Sequence, residues 1–196
     1  MTDRKRNVFA ILSLLLALLW TPCPAQKKYE REYHIKANAV PQRAQNFVSS
    51  VFNKAKIHWY VEESLTGKSI EAKFKAGGKR YSMEFDESGK IQDIEILIKI
   101  GKLDSKSRTT LKQNLSKKFS KYKIVKVQQH WNGSESQLKK ALLEDELPKE
   151  IVKRYELILR AVKDKKEAYF EVLSEKDGAI VSIQEIIQRN SDNLIY

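Results

Sequence analysis

Two stretches of the chain have nearly the same order of residues, and each directly follows a helical pattern. Residues 52–57 read FNKAKI and residues 119–124 read FSKYKI, so the two align without a gap. In each, the phenylalanine closes an apolar helical stripe, the lysines mark a solvated turn and the isoleucine begins a strand. Self-similarity of this kind indicates that one supersecondary unit occurs twice, and it restricts the fold more than any other feature.

The helical pattern before each stretch has apolar residues at the spacing of one helix face. The first helix is predicted to begin near Pro41, because proline suits the first helical turn. Its apolar face comprises Ala44, Phe47, Val48, Val51 and Phe52. The second helix is predicted to begin with Asp104 or Ser105 as its N-cap. Its apolar face comprises Leu111, Leu115 and Phe119.

Period-two alternation follows each helix and predicts strands separated by turn-rich loops. In the first half the alternating runs are 57–61, 70–76, 81–85 and 94–100. In the second half they are 124–131, 155–162, 169–173 and 180–187. The sequence therefore predicts an α+β fold made of two tandem repeats, each with one helix packed on a four-stranded antiparallel sheet.

The repeats set the predicted boundaries, which are residues 38–102 for the first and 103–196 for the second. An insertion at 132–148 interrupts the second repeat, where Ser134 can cap a short helix that Pro148 would end. Before the first repeat, residues 26–37 alternate in the same way. They are predicted to add an edge strand, with a loose arm as the alternative.

Residues 1–25 have the features of a secretory signal peptide. Arg4, Lys5 and Arg6 precede an apolar run at 8–20, and small, turn-prone residues follow up to Ala25. The run is too short to cross a bilayer core of about 30 Å. We therefore predict cleavage after Ala25, export to the periplasm or the extracellular space, and no transmembrane segment in the mature chain. An N-terminal anchor is the alternative.

The same cleavage would remove Cys23, the single cysteine of the chain. A lipid on Cys23 is the alternative, although Trp20, Thr21 and Pro22 do not form the usual lipoprotein pattern. Without a cysteine, the mature chain would have no disulfide framework and no thiol chemistry. Redox and cysteine-protease functions are then excluded.

The chain is strongly basic, with 37 lysines and arginines against 25 aspartates and glutamates and a formal net charge of +12. Such a balance favours an acidic partner. Export argues against nucleic acid, so acidic envelope polymers, lipid headgroups or an acidic protein are the expected partners. The alternative is a basic surface that only keeps the protein soluble.

Several short motifs link the chain to a known family. They are Val40-Pro41, Ile57-x-Trp59-Tyr60, and YSMEFDESGKIQDIEI at 81–96 with its echo at 169–186. With these motifs the chain resembles the PepSY-like family of exported bacterial proteins, also described as β-lactamase-inhibitor-like. The resemblance implies a binding or inhibitory module of the envelope. It transfers no active site, because the motifs are structural.

Strand alternation also predicts which side chains face a partner. The face covered by the helix should carry Ile57, Trp59, Ile70, Phe74, Tyr81, Met83, Phe85, Ile94, Ile96 and Ile98. The opposite face should be polar and could be either solvated or a recognition surface. The candidate partner-binding residues are His58, Tyr60, Lys73, Lys75, Arg80 and Trp131. Trp131 ends a strand, where it could instead be buried and close the core of the second repeat.

No motif for catalysis, cofactor binding or metal binding survives inspection. Residues 64–69 read SLTGKS, but a phosphate-binding loop would need glycine where Glu62 stands. Ser120 and Lys123 match S-x-x-K but follow a helix instead of opening one. His34, His58 and His130 lie far apart in the sequence and outside any metal-binding pattern, and a weak adventitious site shared by His34 and His58 is the alternative. We therefore predict no catalytic, cofactor or metal site.

These observations predict a non-enzymatic exported binding module that engages or inhibits another envelope protein, through a sheet face or the insertion at 132–148. The alternative is a basic protein that docks on acidic envelope polymers or lipid headgroups.

Overall fold

The alternating runs form nine strands in the computed structural model, which describes residues 26–188. The strands are β1 Gln26–Ile35, β2 His58–Ser64, β3 Lys68–Ala76, β4 Lys79–Asp86, β5 Ile91–Leu97, β6 Lys121–Asn132, β7 Val152–Lys163, β8 Lys166–Glu175 and β9 Ile180–Gln188. The helices of this region are α1 Gln42–Val51, α2 Ser105–Lys118 and α3 Glu135–Glu144. Short 3₁₀ turns occupy Ala37–Ala39 and Ile100–Lys102. The predicted signal peptide at 1–25 lies outside the described residues.

The nine strands close into one barrel in chain order. Consecutive strands pair antiparallel, and β1 pairs parallel with β9 from Gln26 opposite Gln184 to Glu30 opposite Gln188. The prediction of an α+β fold with two four-stranded repeats is therefore wrong. Pairing of β5 with β6 merges the two predicted sheets, and β1 has a neighbour on either side. The parallel pairing joins residues 26–30 of β1 to residues 184–188 of β9, so closure covers only part of each of these two strand edges.

The apolar cores lie on the outer face of the barrel, beneath the helices. Helix α1 packs over the outer face of β2–β5, in a cluster that includes Ala44, Phe47, Val48, Trp59, Phe74, Met83, Phe85, Ile94 and Trp131. Helix α2 packs over β6–β8, in a cluster that includes Leu111, Leu115, Phe119, Val127, Leu157, Leu159, Phe170 and Val172. The predicted assignment of Trp59, Phe74 and Phe85 to the helix-covered face is confirmed.

Side-chain caps fix where two of the helices begin. Asp104 accepts a hydrogen bond from the Ser107 backbone N–H at 3.0 Å and is the N-cap of α2. Ser134 caps α3 in a capping box, in which the Gln137 side chain accepts from the Ser134 backbone N–H at 2.9 Å. The predicted short helix in the insertion is confirmed. It ends at Glu144, before Asp145 in a left-handed conformation, and not at Pro148.

Two glycines allow the helices to approach turns at one end of the barrel. Gly89 and Gly178 have φ angles of 81° and 90°, which disfavour any residue with a Cβ. A Cβ at position 178 would overlap the Ser107 carbonyl and lie 2.7 Å from the Leu111 backbone nitrogen. The turn between β8 and β9 can therefore contact α2 only if residue 178 is glycine.

Gly178→Ala should lower the free energy of unfolding by about 2–4 kcal/mol, because it combines backbone strain with a clash against α2. Gly77→Ala is the matched control, since Gly77 also has a positive φ of 54° but a Cβ there would have open space. We expect about 1 kcal/mol for the control. Denaturant unfolding of both variants measures the difference. Equal losses would show that the contact with α2 is unimportant.

Candidate functional site

The interior of the barrel is lined by charged side chains. They surround a cavity of about 100 Å³. The lining carboxylates are Glu30, Glu32, Glu62, Glu71, Glu84, Glu95, Glu156 and Glu171, and the lining cations are Lys28, Lys73 and Lys126. A chain with a net charge of +12 therefore places an acidic cluster inside, so its basic excess lies on the outside.

Lys28 connects β1 to β8 across the interior. Its Nζ donates a hydrogen bond to Glu171 Oε2 at 2.6 Å and also contacts Glu30 on its own strand. Burial lowers the pKa of the Lys28 ammonium, but Glu171, Glu156 and Glu62 outweigh burial and raise it above the ordinary value. Lys28 therefore stays charged and neutralises part of the acidic cluster. Its bridge passes over β9, so it spans the β1–β9 seam.

Lys73 makes the corresponding bridge from β3 to β1. Its Nζ lies 2.9 Å from Glu32 Oε2 and 2.9 Å from Glu71 Oε2. Burial lowers the pKa of Lys73, but the two glutamates raise it above the ordinary value. The ammonium also lies 5.0 Å from the centre of the Tyr60 ring, within the range of a cation–π contact. Strand β1 is thus attached on both sides by a buried lysine.

Carboxylates directly face one another in the strand register. Glu32 lies opposite Glu62, Glu71 opposite Glu84, and Glu84 opposite Asp93. Like charges in these positions repel one another. Burial raises the pKa of Glu62 although Lys28 opposes the shift, and Glu71 and Glu171 raise it further. Burial also raises the pKa of Glu32 despite Lys73. The folded protein therefore favours protonation of part of this cluster.

Three further carboxyl groups have raised pKa values. Burial and then Asp93 raise the pKa of Glu84 to about 8. Burial raises the pKa of Glu95 to about 7, although Lys126 opposes the shift. Burial and then Glu95 raise the pKa of Glu156 well above its usual range. The raised pKa values of Glu84, Glu95 and Glu156 favour bound protons in this part of the interior.

The structure brings five of the six predicted partner-binding residues to one part of the inner face. His58 lies opposite Lys73, and Lys75 lies opposite Arg80. Lys73, Lys75 and Arg80 line a small cavity of about 30 Å³, and Tyr60 contacts Lys73. Barrel closure leaves Tyr60 and Lys73 inside, whereas Lys75 and Arg80 are exposed at the barrel end.

Trp131 lies apart from the other predicted residues. Its side chain is only 9% exposed and belongs to the cluster beneath α1. The indole Nε1 donates a hydrogen bond to Gln129 Oε1 at 3.2 Å. The expectation that Trp131 is buried fits the structure, but it belongs to the core beneath α1 and not to the core of the second repeat.

Lysines and arginines from four chain segments gather at the same end of the barrel. The strand register places together the loop before β2, the β3–β4 hairpin, the α2–β6 junction and the β7–β8 hairpin. We define the basic end by their cations: Lys54, Lys56, Lys75, Lys79, Arg80, Lys117, Lys118, Lys121, Lys123, Arg160, Lys163, Lys165 and Lys166. All except Lys163 are classed as exposed.

Few carboxylates neutralise the basic end. Within the described part of the chain, only two of its cations form ion pairs, Lys79 with Asp145 at 3.0 Å and Arg160 with Glu167 at 3.2 Å. At the opposite end both signs are mixed, since its turns carry Asp86, Glu87, Lys90, Glu175, Lys176 and Asp177. The sequence shows the lysine clusters, but only the strand register shows that they share one end.

A second cavity, of about 530 Å³, opens at the end opposite the basic end. Lys28, Glu30, Glu62 and Glu84 line both this cavity and the inner one. In residues 26–188, no helix has the length and apolarity needed to span a membrane. The same residues contain no group of three histidine or acidic side chains arranged to hold a metal ion.

No protein-family model matches the sequence, and comparison with curated proteins also finds no match. Solved structures do match. A candidate periplasmic protein from Bacteroides eggerthii has a TM-score of 0.50 at 11% identity, covering 74% of this chain and 88% of its own. At this identity the likeness shows a shared fold alone.

Two other solved structures are less similar. A DUF2874 family protein from Bacteroides ovatus has a TM-score of 0.48 at 13% identity, covering 74% of this chain and 87% of its own. A BLIP-like protein from Bacteroides fragilis has a TM-score of 0.48 at 13% identity, covering 79% and 91%.

Proposed function

We propose that the protein is an exported, non-enzymatic binding module that engages an acidic partner through its basic end. The observation that carries this proposal is the unequal distribution of charge between the two ends of the barrel. Eleven cations of the basic end form no ion pair with the described residues, so they are available to an acidic partner. Export rests on the predicted signal peptide, and the description of the Bacteroides eggerthii neighbour agrees with it.

The closed barrel determines which of the predicted residues can meet a partner. The polar sheet face is the interior, and its cavity of about 100 Å³ is smaller than the several hundred Å³ of typical ligand pockets. A protein or polymer can therefore reach Lys75 and Arg80 but not Lys73. We assign to Lys73 and Tyr60 a structural role, and to the exposed cations around them the contact role.

The salt concentration that elutes the protein from an immobilised polyanion, such as dextran sulfate, tests the basic end. A basic-end variant carries the four substitutions Lys117→Gln, Lys118→Gln, Lys121→Gln and Lys123→Gln. We expect it to elute at a markedly lower salt concentration, because it has lost four charges that attract the polyanion and that salt screens. The control variant has the same net charge and carries Lys27→Gln, Lys90→Gln, Lys149→Gln and Lys176→Gln. It should elute close to wild type. Equal shifts would mean that net charge alone determines retention.

A second candidate function is binding, and inhibition, of another envelope protein, as the PepSY-like resemblance implies. Exposed apolar residues in and near the insertion at 132–148 favour it, since Leu143 within the insertion is 59% exposed and Val152 at the start of β7 is 45% exposed. A single envelope protein retained at high salt by wild type, and lost with Leu143→Ser, would favour this candidate over a polyanionic partner.

A further inference from the structure

We infer that the basic end is a docking surface for a bilayer of anionic phospholipid, on which the barrel stands end-on. This inference rests on the proposed function and names its partner. The surface comes from four chain segments that meet at one barrel end, as the strand register requires. A partner that contacts all four segments must itself be broad, as a membrane surface is.

The chemistry of the surface suits phosphate headgroups. Eleven of the thirteen cations are lysines, which act as point charges on flexible stems and need no fixed geometry in the anion. Lysines close to an anionic leaflet are attracted individually, and their contributions accumulate. Arg160 is already engaged with Glu167, so Arg80 is the one arginine of this end whose guanidinium has no ion pair among the described residues.

The surface does not have the features of a nucleic-acid reader or of an inserted anchor. Proteins that bind single strands stack bases on exposed aromatic side chains. Among the described residues, the exposed aromatic side chains are Tyr29 and Tyr33, both on β1. Val125 is the large exposed apolar residue of the segments that form the basic end. Docking should therefore stay at the level of the headgroups and reverse with salt.

Lipid vesicles test the inference directly. The full chain is mixed with vesicles of phosphatidylcholine alone, or of phosphatidylcholine with about 30% phosphatidylglycerol, and bound protein is separated by flotation. We expect binding to the anionic vesicles only, with loss of binding at about 0.5 M salt, where the screening length is a few Å. Binding to phosphatidylcholine equal to binding to the anionic vesicles would overturn the inference.

The two quadruple lysine variants identify the docking surface. The basic-end variant should bind anionic vesicles at least tenfold more weakly than wild type, whereas the control of equal net charge should change less than twofold. Both retain residues 1–25, so any contribution of the apolar run at 8–20 cancels. A similar loss in both variants would overturn the inference. Circular dichroism and thermal unfolding show that the variants are folded.

A soluble polyanion separates this inference from the proposed function. Retention on dextran sulfate that depends on the basic end, without binding to anionic vesicles, would overturn the lipid assignment and leave the proposed function standing. Absence of both would overturn both. Vesicle binding that dextran sulfate displaces, and that requires the basic end, is the result that supports them together.

Discussion

Lys28→Met should lower the free energy of unfolding by about 3 kcal/mol, the expected effect of leaving buried carboxylates without their cation. Methionine keeps an unbranched apolar chain of similar length, so the variant removes the charge with little change in packing. Glu171 would lose its hydrogen bond at 2.6 Å, and Glu30 would lose its ammonium contact. Unfolding in denaturant measures the loss.

Lys27→Met is the matched control for Lys28→Met. Lys27 is the preceding residue on β1, is exposed, and forms no ion pair with the described residues. The control should therefore change the free energy of unfolding by less than about 0.5 kcal/mol. Equal losses in the two variants would show that the interior bridge contributes nothing.

Lys28→Met should also act locally, because Lys28 is the bridge that spans the β1–β9 seam. Hydrogen exchange should accelerate in β1 and β9 before it accelerates in β3 and β4, since local openings have their own free energies. The seam is a short parallel pairing of five residues on each strand. Uniform acceleration over all nine strands would instead indicate that the barrel unfolds as one unit.

Strand alternation predicted which side chains share a face, because successive side chains of a strand point to opposite sides. Trp59, Phe74 and Phe85 are buried beneath α1 for that reason. The same pattern could not predict barrel closure. Closure depends on β1 pairing with β9, which brings together residues as far apart as Gln26 and Gln184. No local signal specifies so distant a pairing.

The candidate site was predicted in part for the same reason. Tyr60, Lys73 and Arg80 were placed on a common polar face, but that face was expected to be an open surface. Its closure turns a polar face into a buried acidic cluster, to which the distant Glu156 and Glu171 contribute. The basic end depends equally on register, because the lysines of 117–123 and 163–166 are neighbours only after β6 pairs with β7.

The stability of the protein should fall as the pH rises from about 5 to about 9, opposite to the usual behaviour of carboxylates. Glu84 and Glu95 have pKa values of about 8 and about 7 in the folded state, against 4.5 for an ordinary glutamate. At a pH between 4.5 and these raised pKa values, the folded state binds more protons than the unfolded state. The free energy of unfolding therefore decreases as the pH rises. His130 acts in the same direction. Burial lowers its pKa, but the effect of Asp93 outweighs burial, so the pKa of His130 is raised in the folded state.

Glu84→Gln isolates the contribution of one buried carboxyl group. The amide has nearly the shape of the protonated carboxyl group but cannot ionise. One unit of pKa displacement corresponds to about 1.4 kcal/mol. We therefore expect the variant to be as stable as wild type at pH 5. At pH 9 its free energy of unfolding should exceed that of wild type by at least about 2 kcal/mol. Denaturant unfolding across this range measures the two slopes.

Glu146→Gln is the control for this comparison. Glu146 is exposed and lies outside the acidic cluster, so its variant should keep the wild-type slope. A wild-type slope in Glu84→Gln as well would mean that Glu84 is ionised throughout and the interior tolerates its charge. A reduced slope in Glu84→Gln alone would mean that ionisation of the acidic cluster opposes barrel closure. The protons held between facing carboxylates would then act together with Lys28 and Lys73 in keeping β1 in the barrel.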